Sequence, residues 1–349
     1  MSRCGFLGAG ERVRMGGTMS RAAGSAAAEM GQLQQQQQSW REQAENSLSK
    51  FIAGAVEENL DTASKLRGKV QGVGTEVEVI HKMRVKWRRL RTIVREVKGL
   101  ALSTCTVPKA KEISAFLRLL GSSRDLDVQI ELLQVLEDKY INEDSISAPA
   151  LSRLHKREAK IKKIRDEAMG SGSTDMSKKI VKTSKKLEKT LHSWISRVDD
   201  DSTSCQEAAP ELQCLKLDVL MRMQGWRVTE PVELGTPDME VMHSLRKAFK
   251  ELRYQMELFH PIYTDGYPEQ AHAKAIALVV EGSEILGKLQ DAEMLMDAQR
   301  AWLKKNSEVD KALDKYVSHY WAKWLWFATR FQAPENIRDL ESVLKSTQL

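Results

Sequence analysis

The chain has 349 residues, of which 42 % are hydrophobic and 29 % charged, with 8 prolines and a net charge of +6. At roughly 100–200 residues per domain this length allows about two domains, and the apolar content supplies real cores, which excludes a disordered polymer. Cys4, Cys105, Cys205 and Cys214 form no CxxC pair or His-partnered zinc spacing, and the best apolar stretch, AIALVV from Ala275, is closed off by Lys274 and Glu281. A disulfide framework, a zinc site and a membrane span are thereby excluded, and a soluble intracellular protein of cytoplasm or nucleus is expected.

In chain order, residues 1–44 come first, rich in Gly, Ala, Ser and Arg, with a glutamine run at Gln34–Gln38. Such a segment reads as a disordered leader, and its acid-poor, Arg-containing composition equally suits a transit peptide to a plastid or another organelle. Helical spacing begins at Ser47 and breaks over Gly68–Gly74. Further helices are predicted over 76–98, 109–121, 125–140, 147–169 and 176–198, with GSGSTD at 170–175 as a hairpin turn. The acidic stretch from Asp199 to Pro210 reads as a linker, and helices follow over 211–224, 238–260, 268–288, 290–306 and 308–331. Tyr320, Trp321, Trp324, Trp326 and Phe327 in the last of these are expected to pack in a core. An all-α fold follows.

The positive charge is gathered in two places. Residues 80–98 hold eight Lys/Arg against one acid, and residues 153–189 hold thirteen against five. Wound at 3.6 residues per turn, the segment from His81 separates into two stripes. Ile80, Met83, Trp87, Leu90, Val94 and Val97 form a core-facing row, and His81, Arg84, Arg88, Arg91 and Arg95 lie beside it. The cationic row is roughly 21 Å long at about 1.5 Å per residue, and Lys82, Lys86 and Arg89 widen it. Like charges on one face repel unless acids are interleaved. A polyanion relieves that repulsion, because each guanidinium takes phosphate oxygens in a bidentate way.

A second copy of this helix starts at Met242. His243, Arg246, Lys250 and Arg253 repeat the +3, +4, +3 steps beside an apolar row of Leu245, Phe249, Leu252, Met256 and Phe259. Each copy is followed by a related element: LGSSRDLDV from Leu120 and LGKLQDAEM from Leu286, pairing Gly121 with Gly287 and Asp125 with Asp291. The chain is therefore an internal duplication. Lys178, Lys182, Lys185 and Lys189 repeat at +4, +3, +4 and are read either as another wall of the same site or as a solvated face.

Two His-xx-Arg basic helices, each followed by a Gly-xx-(Arg)-Asp element, resemble the CHAD (conserved histidine α-helical) domain family over about residues 45–335. The resemblance implies two packed antiparallel bundles of about four helices each around a basic central channel that binds inorganic polyphosphate. On it, repeat 1 spans 45–198, the linker 199–210 and repeat 2 211–335, leaving 336–349 as a tail. The implied ligand-facing residues are His81, Arg84, Arg88 and Arg91 in the first repeat and His243, Arg246, Lys250 and Arg253 in the second, with Lys82, Lys86, Arg89 and Lys247 as outer candidates. Asp125, Asp127 and Asp291 are read as orienting Arg side chains or capping helices.

The second copy departs from the first at Gln290 for Arg124, Glu293 for Asp127 and Glu251 for Arg89, from which a weaker or merely closing second half is expected. An enzyme is not expected: the family's companion triphosphate hydrolase domain has no room before the basic helix, and no P-loop, nucleophile elbow or HExxH is present. No cofactor is expected. Nucleic-acid binding, non-specific and at low salt, and docking of an acidic partner protein remain as the other readings.

Overall fold

The computed structural model describes residues 47–346 apart from 73–74, 100–108, 142–146, 171–174, 199–203, 231–232, 235 and 264–266. The expected leader and most of the GSGSTD turn lie outside the described residues. Ten α-helices run through them: α1 Leu48–Arg67, α2 Val77–Gly99, α3 Ala110–Leu136, α4 Ala148–Gly170, α5 Met176–Ile195, α6 Cys205–Met221, α7 Pro237–Phe259, α8 Tyr267–Leu303, α9 Ser307–Phe331 and α10 Pro334–Lys345. No strand occurs among the described residues, and none of their helices is long and apolar enough to cross a membrane.

Local chemistry explains several helix starts. The Ser47 side chain accepts from the Lys50 amide and the Asp175 side chain from the Lys178 amide, each satisfying a backbone donor that the first turn leaves free. Pro237 opens α7, followed by Asp238 and Glu240, and Pro334 opens α10. Gly72, at φ 81°, makes the left-handed turn between α1 and α2 that a side chain would resist.

The apolar rows read from the sequence form the core. Ile80, Met83, Trp87 and Leu90 are fully buried, as are Leu245, Phe249, Leu252, Met256 and Phe259; each such side chain contributes about 1.5–3 kcal/mol. Helix pairing repeats between the halves. α1 packs on α2 and α5 as α6 packs on α7 and α10, and α2 packs on α3 as α7 packs on α8. The helix starts meet as well, since Ser47 and Ser204, which precede α1 and α6, form an antiparallel bridge.

Several expectations are corrected. The segments 109–121 and 125–140 are one helix, α3, ending in a π turn at Glu137–Ile141, and 268–288 and 290–306 are the single helix α8. Gly121 and Gly287 cost a helix interior only about 1 kcal/mol each, which packing overrides. The linker is shorter than expected, because α6 starts at Cys205 and buries Cys205 and Ala209 against the first half. The supposed tail from 336 lies in α10, whose Leu340 and Leu344 are buried in the second core and whose Leu344 carbonyl accepts from the Tyr263 hydroxyl at 2.8 Å. Among the described residues each half thus has five α-helices, where about four were expected. In α9, Trp321, Trp324 and Phe327 are core as expected, but Trp326 is 60 % exposed, with the Arg330 guanidinium 4.3 Å over its ring.

Candidate anion-binding cavity

α2 and α7 pack on each other, and α3 and α8 pack on each other beside them. Between these four helices lies a cavity of about 720 Å³. Its walls come from both halves: His81, Arg84, Arg88 and Arg124 from the first, and His243, Arg246, Lys250, Arg253 and Lys288 from the second. The carboxylates on the wall are Asp125, Glu284 and Asp291, so cations predominate.

The glycines seat the arginines. On α3, Gly121 and Asp125 stand one turn apart. The Arg84 guanidinium lies against the bare glycine, where a Cβ would sit 3.8 Å from Nη2, and its Nη1 is 3.7 Å from Asp125 Oδ1. Arg246 repeats the arrangement, with Gly287 beneath it, a Cβ there falling 3.5 Å from Nη2, and the Asp291 charge close by. The expected role of Asp125 in orienting Arg84 thus has its geometry, and Asp291 acts on Arg246 through its charge. Asp127 serves elsewhere: buried, it accepts from Arg165 Nε of α4 at 3.0 Å and ties that helix to the back of the wall.

Burial and mutual repulsion mark the cavity electrically. Lys250 is pushed down to about 6, first by burial and then by Arg246, Arg88 and Arg84. Arg84 is lowered to about 10 by burial and by Arg88. His81 is held below its usual value by burial and Arg124, and His243 by burial, Lys247 and Arg246. Burial moves Asp291 the other way, upward, in spite of Arg246 and Lys288. Among the described residues, the Nε atoms of Arg84 and Arg246 and the Nδ1 of His243 are buried without a hydrogen-bond partner. A buried donor left so costs about 1–3 kcal/mol. Such a cavity is built to receive negative charge with several acceptor oxygens.

Seven of the twelve sequence-derived candidates line the cavity and five do not. Arg91, one turn beyond Arg88, is not on the wall; it lies within the influence of Arg95, Arg88 and Glu251. Lys82 is exposed and pairs with Glu78 at 3.4 Å. Lys86 lies among Arg89, Glu58 and Glu257, and Lys247 faces solvent. Arg89 donates to Glu257 at 2.7 Å, and Arg95 pairs with Glu251. These last pairs explain a departure misread in the sequence. Under the repeat, Arg89 corresponds to Glu251 and Arg95 to Glu257, so two identical helices crossing here would set four arginines face to face. Glutamates in the second copy convert that clash into two ion pairs related by an approximate twofold. Glu251 therefore joins the halves rather than weakening the second.

Arg124, Lys288 and Gln290 are wall residues that the site reading left out. A signal for the first was available, because Gly121, Arg124, Asp125 and Val128 follow i, i+3, i+4, i+7 and must share the face on which Gly121 meets α2.

Fold and cavity define an all-helical protein of two related halves enclosing a cationic cavity. The CHAD domain model matches residues 54–300, more than half of the chain, which belongs to the CHAD family. In three dimensions it is similar to the crystal structure of the CHAD domain from the plant Ricinus communis, with a TM-score of 0.54 at 20 % identity over 87 % of this chain and 93 % of that one. Among curated proteins, none matches the chain in sequence.

Proposed function

We propose that the central cavity holds inorganic polyphosphate without chemically altering it, with His81, Arg84, Arg88, His243, Arg246, Lys250 and Arg253 as the ligand-facing groups. Family membership supports a polyphosphate-related role at the level of the family. The carrying observation is the pairing of Arg84 over Gly121 with Arg246 over Gly287 across the approximate twofold. An unbranched phosphate chain reads the same from either end, so two equivalent clamps facing each other suit it. A nucleic-acid strand has a direction and offers its two ends differently to such a site. Phosphate oxygens would also accept from the unpartnered Arg and His nitrogens, replacing the repulsion between Arg84 and Arg88 with charge-assisted bonds and favouring the charged form of Lys250.

The test is a titration of the chain with tripolyphosphate, long-chain polyphosphate and single-stranded DNA at two salt concentrations, repeated with Arg88→Ala/Lys250→Ala. Neither residue makes an ion pair among the described residues, so their removal strands no carboxylate. Polyphosphate should bind far more tightly than DNA near physiological salt, and the double variant should lose about a hundredfold, ~2.7 kcal/mol, with its helical content unchanged. No orthophosphate should be released on prolonged incubation. Equal competition by DNA, or undiminished binding by the variant, would overturn the assignment.

A further inference from the structure

The second concentration of positive charge lies apart from the cavity. In α5 the buried residues Ile180, Ser184, Leu187, Leu191 and Trp194 occupy one face. Lys178, Lys182, Lys185 and Lys189 lie on the opposite, exposed face. At about 1.5 Å per residue this row is roughly 17 Å long. α4, packed beside α5, adds exposed Lys156, Lys160 and Lys163 at +4 and +3. None of these lysines lines the cavity, so the reading of them as another cavity wall is set aside. Lys178 pairs with Asp175 and Lys163 with Glu167; among the described residues Lys182, Lys185 and Lys189 have no carboxylate partner.

A plain solvated face would interleave acids, and a face that reads nucleic acid would carry aromatic rings for stacking or Asn and Gln for base edges. The α5 lysine row carries no Asn or Gln and no exposed Trp, Tyr or Phe: Trp194 is buried, and the one exposed ring is His192 at the end of the row. Its lysines are hydrated point charges suited to a polymer whose every unit is negative. The row also starts against α3, the helix that carries wall residues Arg124, Asp125 and Val128 on another of its faces. Met176, the first residue of α5, has its sulfur 3.7 Å from the Ser122 hydroxyl of α3, two residues before wall residue Arg124.

We infer that the lysine face of α4 and α5 is a second polyphosphate-binding surface, engaged by the part of a long chain that extends beyond the cavity. The inference rests on the cavity holding polyphosphate. A chain anchored there meets the lysine face as a tethered ligand, and tethering multiplies affinity without new contacts in the cavity. The surface therefore makes the protein selective for long chains over short ones.

Lys182→Gln/Lys185→Gln/Lys189→Gln in the full chain tests this, read by titration with tripolyphosphate, long-chain polyphosphate and single-stranded DNA across a salt series. Expected are an affinity for tripolyphosphate within about twofold of the parent and a loss of about tenfold or more for the long chain. The dependence on salt should be shallower for the long chain alone, as fewer counterions are released. An unchanged long-chain affinity overturns the inference. So does an equal loss for both lengths, or a loss confined to single-stranded DNA, which would make the face a nucleic-acid contact. Failure of the cavity assignment is distinguishable, because it appears as unimpaired tripolyphosphate binding in Arg88→Ala/Lys250→Ala, whose lysine face is intact.

Discussion

Lys250 is an amine packed among arginines, and its position separates what stabilises the protein from what binds the ligand. With its pKa depressed from 10.5 to about 6, it binds a proton less readily folded than unfolded. Folding stability that depends on this group is therefore present above the unfolded value and falls as pH drops from about 10.5 toward about 6. Lys250→Met keeps the length of the side chain and removes the charge. At about pH 6 it should raise the Tm of the ligand-free protein by about 2 °C, ~1 kcal/mol for a chain of this size, while weakening polyphosphate binding about tenfold. An anion favours the charged forms of Lys250, His81 and His243, so binding takes up protons and tightens as pH falls from about 8 to about 6. The internal phosphates of a long chain do not titrate in that range. Calorimetry in buffers of differing ionisation enthalpy should thus register uptake by the protein, and Lys250→Met should reduce it; an unchanged uptake would show that Lys250 is not the group involved.

At the scale of elements, the crossing of α2 and α7 carries a cost that the second repeat had to remove. Glu257 accepts from Arg89 at 2.7 Å and from Arg253 at 2.6 Å, with its side chain 17 % exposed. Glu257→Gln keeps the shape and removes the charge that both arginines use. The variant should be less stable by about 1–3 kcal/mol in urea unfolding. Because Arg253 then loses its intramolecular partner beside the cavity, polyphosphate affinity should stay level or rise. A parallel fall in stability and affinity would instead mean that Glu257 positions Arg253 for the ligand. The helices themselves were legible in the sequence because their apolar rows are long and strictly periodic, as from Ile80 to Val94. The same spacing brought out seven cavity residues. The cuts expected between 121 and 125 and between 288 and 290 are misplaced, since the local preferences there are weak beside the packing of Arg84 and Arg246 upon Gly121 and Gly287. Arg89 and Glu251 looked like ligand gain and loss because which residues two helices share at a crossing is a tertiary property. One helix period holds no trace of it.

For the whole molecule, the three apolar clusters decide how independently the halves stand. One cluster is built mainly from the first half but takes in Phe259, Ile262 and Tyr263, and another belongs to the second half. The third joins Leu132, Leu133, Leu136, Leu154 and Ile161 to Ala292, Leu295, Leu303, Val309 and Leu313, so neither half can bury its share alone. Polar links follow the same division, for Gln299 donates to Gln129 and Arg153 donates to Asn306 at 2.7 Å. The cavity, walled by both halves, forms only when they are joined. Heating the ligand-free chain should therefore produce one calorimetric transition whose van't Hoff and calorimetric enthalpies agree. Tripolyphosphate at about one hundred times its Kd should move that transition upward as a unit, by ~2.7 kcal/mol or about 5 °C. Sodium chloride at moderate concentration should raise it by less, since screening relieves the repulsion among Arg84, Arg88 and Arg246 without supplying acceptor oxygens. Two separate transitions, with only one responding to tripolyphosphate, would mean that a single half holds the ligand and that the shared cluster does not couple them.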